Sequence, residues 1–472
     1  MAFNSLRFIL FFSAFFVLYT WVLSRLRVKW RNLGILLASY LFYASWDWRF
    51  LSLIIISSLT DYLVGQRLGK IQNPKRRKGL LLISLCVNLG MLGVFKYFNF
   101  FRDSLVVLLA YTPFQPSIPT LDLILPVGIS FYTFQTLSYT IDIYRKRIQP
   151  TSSVLTFFTF VAFFPQLVAG PIERASHLLP QFERKSILSY QQSVQGMRII
   201  LLGFFKKIVI ADNFGLLADY LLNPALPQNG WLTLTGSFSF CLQIYGDFSG
   251  YSDIAIGLAM MMGFRLNQNF DTPYFSRSLT EFWRRWHISL STWFRDYLYI
   301  PLGGNRKGKF RTYYNLFLTF LLSGLWHGAD WTFVIWGALH GILIVVERIL
   351  PSFKRKAIWI LPVFITVWFL WIPFRAEGIH HYFHMLAGLF NLASYDLTGM
   401  AFVSELYPIR KVMALSIISL LYFSWEGFAK GNDLGLSKLA TIPRRMVYFL
   451  LAIIIFLFIN FESQVPFIYF QF

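Results

Sequence analysis

The stretch Tyr313-Tyr314-Asn315-Leu316-Phe317-Leu318-Thr319-Phe320-Leu321-Leu322-Ser323-Gly324-Leu325-Trp326-His327 is a short apolar run that ends on an imidazole. As a helix at about 1.5 Å per residue it reaches about 22 Å, short of a hydrocarbon core of about 30 Å. His327 therefore stops before the far face. Burying a titratable ring at such depth costs several kcal/mol unless it is paired or kept neutral, so it marks a functional site by default. Gly324, Gly328 and Asp330 loosen the helix around it, and irregular backbone at that depth needs protein or a water-filled cavity to satisfy it. Two readings stand: the end of a tunnel, or a histidine capping a hairpin between two spans.

The rest of the chain is of the same kind. Of 472 residues, 56% are hydrophobic, 19% aromatic and only 14% charged, which excludes a soluble globule and predicts an all-α polytopic membrane protein. Apolar runs at 7–23, 32–46, 50–64, 80–101, 121–144, 154–169, 197–222, 232–262, 313–326, 331–346, 357–372, 412–428 and 446–461 are span candidates. Several are too short to cross, which predicts re-entrant or broken segments. The first run has no small-residue cleavage site after it and is read as an uncleaved helix. The net charge of +21 is a cue for nucleic acid in a soluble chain. Here it resolves into short clusters at 25–31, 70–78, 145–147, 306–311, 348–356 and 430–445 that fix orientation, so no nucleic-acid partner is expected and membrane lipids are. With those clusters in the cytoplasm, both termini fall outside, and 372–410 is an external loop. Arg410 and Lys411 then lie on the wrong side, as snorkelling or partner-facing residues. Cys86 and Cys241 lie in apolar runs and read as packing residues. One integral domain, 1–472, is the simplest count, with N-terminal helices (1–120), a core (121–347) and C-terminal helices with a tail (348–472).

A second histidine lies upstream in Trp283-Arg284-Arg285-Trp286-His287. The surrounding stretch, 281–311, is too polar to span and too aromatic for a loop, and predicts an amphipathic interfacial helix. At helical spacing Arg284, His287, Ser291 and Arg295 share a face, opposite Trp283, Trp286, Leu290, Trp293 and Tyr297. That polar stripe is either the headgroup side of an anchor or the wall of a cavity. After the turn at Pro301-Leu302-Gly303-Gly304, the residues Arg306, Lys307, Lys309 and Arg311 offer positive charge for lipid phosphates or for an anionic donor. The polar island 245–253 places Asp247, Ser249 and Asp253 in a segment otherwise suited to lipid, and its carboxylates need partners such as Arg284 or Arg285; a polar staple between helices is the plainer reading. The segment 164–174 ends a span with Gly170-Pro171, a pore rim or an ordinary helix stop. His340 is a packing or network residue. Glu377, His380, His381 and His384 have metal-like spacing without cysteine or a second acidic cluster, and no metal is expected.

Taken in order, Asp247-Phe248-Ser249-Gly250-Tyr251-Ser252-Asp253, Phe282-Trp283-Arg284-Arg285-Trp286-His287-Ile288-Ser289-Leu290-Ser291 and Leu325-Trp326-His327-Gly328 resemble the membrane-bound O-acyltransferase (MBOAT) family, in its bacterial alginate O-acetyltransferase AlgI branch. By motif the resemblance runs from about 121 to 340, and the terminal Phe467-Ile468-Tyr469-Phe470-Gln471-Phe472 fits that branch too. It implies a ring of tilted and re-entrant helices around a central tunnel. By the same resemblance His327 takes the catalytic position and His287 the second active-site position. Trp326, Trp283, Arg284, Arg285, Ser291, Asp247, Ser249, Asp253 and His340 become tunnel or substrate candidates. The branch also implies an extracytoplasmic SGNH-type acetyltransferase partner that decorates a polysaccharide. The aromatic tail suits docking of that partner, or an interfacial aromatic belt.

The implied chemistry joins a cytoplasmic thioester to a hydroxyl beyond the bilayer. A neutral His327 is suited to general-base catalysis near neutral pH; His287 would orient it or hold the carbonyl, and an acyl-histidine intermediate is the alternative. No permanently bound cofactor is expected. The donor substrate is acetyl-CoA or another acyl thioester, an acyl-carrier protein included, drawn by the basic charge. The location implied is a bacterial inner membrane. Two rivals remain: a transporter or channel for a lipid-linked or acylated envelope precursor, which would also need buried polar groups and broken helices, and D-alanyl or other acyl transfer within the family.

Overall fold

The structure is a computed structural model and describes residues 1–113, 117–168, 170–226, 229–350, 356–395, 408–429, 433–459 and 467–470. Parts of the basic clusters at 348–356 and 430–445, residues 396–407 of the expected external loop, Ala169 at the proposed rim, and Gln471 and Phe472 lie outside the described residues. Among the described residues every regular element is helical. Six stretches are long and apolar enough to cross a membrane: Leu6–Arg25, Val28–Lys70, Pro74–Leu109, Trp331–Ile349, Ala357–Arg375 and Thr441–Phe458. The protein is a multi-pass membrane protein. Other apolar runs expected as spans fold as shorter or more polar helices, such as the 16 residues of Ile129–Tyr144 and the nine of Val154–Ala162.

The chain divides into two compact units, 1–193 with 259–267, and 194–258 with 268–472. In the first, several helix ends and buried polar groups find internal partners, as a medium without water demands. Asn73 caps the helix Pro74–Leu92 by accepting from the backbone N–H groups of Lys75 and Arg76, with proline at the first turn where no donor is missed. The Arg77 guanidinium donates to the carbonyls of Leu68, Ile71, Ile143 and Tyr144, and so closes the C-terminal ends of Leu51–Lys70 and Ile129–Tyr144 together. Deeper in, Asp61 accepts from Ser84 Oγ at 2.5 Å and Asn88 Nδ2 at 2.9 Å, and Ser57 donates to Asn88 Oδ1 at 2.6 Å. This network joins buried side chains of two neighbouring helices.

The second unit contains the long helix Gly230–Met261, 32 residues or about 48 Å. It also contains the antiparallel-in-sequence neighbours Gly308–His327 and Trp331–Ile349. The first of these begins five residues before Tyr313, so the helix is longer than its apolar run alone suggested. Its last turn lies against its neighbour with no room for side chains. A Cβ on Gly324 would stand 2.2 Å from the Phe333 carbonyl oxygen, and one on Gly337 would stand 2.5 Å from that of Phe320. Small residues at such a crossing let backbones approach and fix the axial register. Gly324→Ala should therefore push the pair apart at a cost of about 1–3 kcal/mol, seen as a lower denaturation midpoint in detergent, whereas Gly79→Ala, inside the helix Pro74–Leu92 with nothing within 4 Å of its added Cβ, should leave the midpoint unchanged or raise it, by up to about 1 kcal/mol of helix propensity.

A second outcome concerns pH. In the first unit His177 Nδ1 lies 2.7 Å from the buried Glu173 carboxylate, which also receives the backbone N–H of Asn267. The hydrogen bond to Glu173 raises the His177 pKa above its usual value, against the smaller opposing effect of burial. A raised value in the folded chain means that this stabilisation is complete below about pH 6.5 and is lost as pH rises through the folded-state value. The denaturation midpoint should fall on that alkaline side in the wild type, and Glu173→Gln should flatten this part of the profile.

Candidate active site

His327 is the last residue of Gly308–His327, and the chain leaves it in extended conformation at Gly328. The break is built in. A Cβ on Gly328 would fall 2.0 Å from the Phe333 ring, and Asp330 caps the next helix by accepting from Thr332 N–H at 2.8 Å. His287 is also at a break. The helix Leu279–Arg285, capped by Ser278 and further held by Glu347, which accepts from Leu279 N–H at 2.6 Å, ends one residue after Arg284. His287 itself adopts φ 43°, ψ 54°, and the next helix, Ile288–Phe294, starts from it. A left-handed conformation at a residue with a Cβ costs about 1–3 kcal/mol and persists where surrounding structure enforces it. The enforcing contacts are two backbone bonds, Ile288 N–H to Asn269 O and Asp271 N–H to Arg285 O, each 2.9 Å.

The single amphipathic helix expected over 281–311 is therefore corrected to the helix Leu279–Arg285, a sharp turn at His287, and the helix Ile288–Phe294 continued by the wider turns of Arg295–Tyr299. Of the expected polar stripe, Arg284, Ser291 and Arg295 still line one cleft, whereas His287 leaves it. What results is a buried pair: His287 is 0% and His327 3% exposed, with ring centroids 6.4 Å apart. Aromatic rings close around them. Trp326, Trp336 and Phe374 stand 5.0, 5.1 and 5.4 Å from His327, and Phe248 meets His287 edge-on at 4.6 Å. His287 lies outside the six candidate spans, and burial pushes its imidazole down to about 3, so it is neutral at any physiological pH.

The other sequence candidates are dispersed. Trp283, Arg284 and Ser291 line a cleft of about 540 Å³ that also touches Ser323, one turn before His327, and Ile288, next to His287. Arg284, Arg295 and Arg348 give it a basic border, and Trp283 and Phe320 an aromatic wall. His340 accepts from the Trp283 indole N–H at 3.2 Å and packs 4.7 Å from Trp336, one ring removed from His327. Arg285 pairs with Glu281 at 2.6 Å and lines a different cavity, about 760 Å³, with Lys206, Asp253 and Glu426. Arg306, Lys307, Lys309 and Arg311 are exposed around the start of Gly308–His327 and line neither cavity. His381 accepts from the Glu377 backbone N–H at 3.1 Å, while His380 and His384 are exposed.

The partners of the buried carboxylates also need correcting. Asp247 pairs with Lys207 at 2.9 Å and Asp253 with Lys206 at 2.9 Å, in place of Arg284 or Arg285; Asp212 shares Lys207 at 2.7 Å. Sequence reasoning passed over Lys206-Lys207, although two adjacent cations inside an apolar run must find anions nearby. Close backbone contact brings them together, since a Cβ on Gly250 would lie 2.8 Å from the Gly203 carbonyl oxygen. Ser249 is buried on the same helix.

The tail motif, expected to dock a partner or form an interfacial belt, brings Tyr469 to the site. The Ile468 backbone N–H donates to Asp247 Oδ2 at 2.8 Å, and Phe467 packs 4.3 Å from Tyr251. Tyr469 then lies 5.8 Å from His327, 6.3 Å from His287 and 4.4 Å from Phe248, ring to ring. The described part of the tail is thus inside the histidine site.

A multi-pass chain that buries two histidines at helix breaks under an arginine-bordered cleft is an arrangement for group transfer within a membrane. The family model for MBOAT, the membrane-bound O-acyltransferase family, matches residues 144–357. The chain is 40% identical over 467 residues to the probable alginate O-acetylase AlgI of Pseudomonas putida, covering 94% of this chain and 95% of that one. It is 44% identical over 380 residues to the Pseudomonas aeruginosa protein of the same description, covering 79% and 72%. With the peptidoglycan O-acetyltransferase of Helicobacter pylori it shares 36% over 427 residues, covering 83% and 79%. The chain belongs to the membrane-bound O-acyltransferase family, in its AlgI branch, and is an O-acyltransferase.

The tail seat can be probed directly. Asp247→Ala strips Lys207 and the Ile468 N–H of a buried partner, and should cost about 3–5 kcal/mol. Asp247→Asn keeps an acceptor for Ile468 and should cost less. A cysteine introduced in place of Ile468, a side chain 2% exposed, should react with a water-soluble maleimide faster in Asp247→Ala than in the parent.

Proposed function

We propose that this chain transfers an acetyl group from a cytoplasmic thioester to a hydroxyl acceptor beyond the bilayer, in the O-acetylation of a cell-envelope or secreted polysaccharide. The observation that carries the proposal is the pair of buried imidazoles 6.4 Å apart beside a cleft with three arginines on its border. A basic border suits the phosphates of coenzyme A or of a carrier-bound pantetheine, and the apolar wall suits the thioester arm. That reading moves the donor-phosphate role from Arg306, Lys307, Lys309 and Arg311 to Arg284, Arg295 and Arg348.

In the transfer, the acceptor oxygen bonds to the thioester carbonyl carbon as His327 takes the hydroxyl proton. The C–S bond then breaks, and the proton goes to the leaving thiolate, so no net proton is consumed. His287 holds one partner of this exchange in place. The ring wall formed by Trp326, Trp336 and Phe374 keeps bulk water from competing for the acyl group. The names of the relatives support an alginate-like or other envelope polymer as the final acceptor. The family resemblance, rather than those names, is the support for an extracytoplasmic SGNH-type acetyltransferase as the next carrier of the acetyl group. The basic clusters support an inner-membrane location with both termini outside.

Purified protein supplied with radiolabelled acetyl-CoA should transfer or slowly hydrolyse label, and His327→Ala should lower that rate by about 10²–10⁴-fold. His327→Gln, which keeps the shape of the cavity, should be equally inactive; a transporter would tolerate it. Equal turnover in wild type and His327→Ala would sink the enzymatic mechanism.

A further inference from the structure

The neutral imidazole of His287 has two tautomers, and its surroundings select one. Its Nδ1 lies 3.1 Å from a side-chain atom of Asn269 assigned as Oδ1. An amide can be turned over without changing its shape, so the assignment must come from the neighbours. The backbone N–H of Ser289, which can only donate, points at the same Asn269 atom at 3.3 Å, and the Ser289 hydroxyl approaches it at 2.8 Å. Turning the amide would set two donors against each other. The atom is therefore the oxygen, and the contact with His287 requires the proton on Nδ1. The other end of the amide is held as well, since Asn269 Nδ2 donates to Ser252 Oγ on the long helix at 3.2 Å. The backbone carbonyl of Asn269 accepts from Ile288 N–H at 2.9 Å, and the residue is fully buried. One asparagine thus holds His287 with its side chain and the next residue, Ile288, with its backbone.

We infer that Asn269 is a positioning residue for the transfer reaction, one that holds the proton of His287 on Nδ1 and so makes Nε2 its basic nitrogen. The inference rests on His287 serving the proposed active site, and it assigns the role of that residue more narrowly. A neutral imidazole with its proton on Nδ1 cannot donate from Nε2 to a carbonyl oxygen. Holding the thioester carbonyl is therefore excluded for His287, and accepting a hydrogen bond, from the attacking hydroxyl or from a protonated His327, is what remains. The titratable groups that face its ring are His327 at 6.4 Å and the Tyr469 phenol ring at 6.3 Å. Asp247 is next in sequence to Phe248, which covers the ring edge-on, and its carboxylate is taken up by Lys207 and the tail.

The test reads the tautomer itself. In protein labelled with ¹⁵N-histidine, the His287 signals, identified by their loss in His287→Gln, should report a protonated Nδ1 and a bare Nε2 between pH 6 and 8. Asn269→Ala should redistribute the proton to Nε2 and lower the maximal rate with acetyl-CoA about tenfold or more, with little change in KM. Asn269→Asp keeps the acceptor and so the tautomer, but its added charge favours the imidazolium. Because the neutral ring is the active form, the acid limb of the rate profile should move to higher pH. A wild-type spectrum with the proton on Nε2, or an Asn269→Ala protein with the wild-type tautomer and rate, overturns the inference. Should Asn269→Ala fail to fold, the wild-type spectrum and the Asn269→Asp profile still decide. A wild-type protein that has the expected tautomer but never turns over acetyl-CoA upholds the Asn269 contact and instead refutes the proposed reaction.

Discussion

Lys207 is the charge on which the second unit depends. It lies in a helical segment with almost no access to solvent, between Asp212 at 2.7 Å and Asp247 at 2.9 Å. An ammonium ion without water is tolerable only with such partners. Satisfying it draws the segment Phe205–Ala211 against the long helix Gly230–Met261, where Gly203 and Gly250 leave space for the backbones to meet. The second Asp247 oxygen is then directed to the tail, and Phe248, the next residue, is set against His287. A single ionic requirement thereby orders three elements and two walls of the site.

The histidines themselves are placed by a different means. Neither lies in the interior of a helix: His327 is the last residue of one and His287 caps the start of another. In the middle of a helix a side chain is committed to one face and its backbone groups are already bonded, whereas at a break the chain can turn a ring inward and leave backbone groups for tertiary contacts. Gly328 and Asp330 make the first break; the backbone clasp between 269–271 and 285–288 makes the second. The strain at His287 is of the order of 1–3 kcal/mol. That is small beside the cost of leaving the groups of the clasp unbonded in a buried site, so the clasp wins and the ring is held where it is.

Much of this was legible in the sequence, and the limits have physical causes. Apolar runs, their helical state and the choice of His327 and His287 as candidates follow from hydrophobicity and from the cost of burying an imidazole, both local properties; the structure shows that the two rings are buried and adjacent. The three motifs likewise carried the family. Periodicity failed at 281–311 because it assumes one uninterrupted helix, and the break at His287 is enforced by residues 269–271, which no pattern within 281–311 contains. Arginines were chosen as partners for Asp247 and Asp253 because they are the more visible cations, but partner choice is a matter of tertiary distance. Lys206-Lys207 was the better candidate on burial grounds, being set inside an apolar run. Neither Tyr469 nor Asn269 was legible as a neighbour of the histidines: one lies in the aromatic tail read for docking or an interfacial belt, the other is a single amide in a polar loop, and only the geometry places either at the site.

The tail closes the argument about water. Phe467 and Ile468 are almost without exposure, and they bring the Tyr469 ring against Phe248 and both imidazoles. A site bounded by rings on most sides offers few polar partners to water, and electrostatic interactions inside it are correspondingly strong. The same dryness makes every proton position consequential, since no solvent is at hand to exchange tautomers or to screen a misplaced donor. In such surroundings a fixed amide oxygen beside Nδ1 decides what the other nitrogen of His287 can do, and a wall of aromatic side chains without that oxygen would leave the ring in place but its chemistry undetermined.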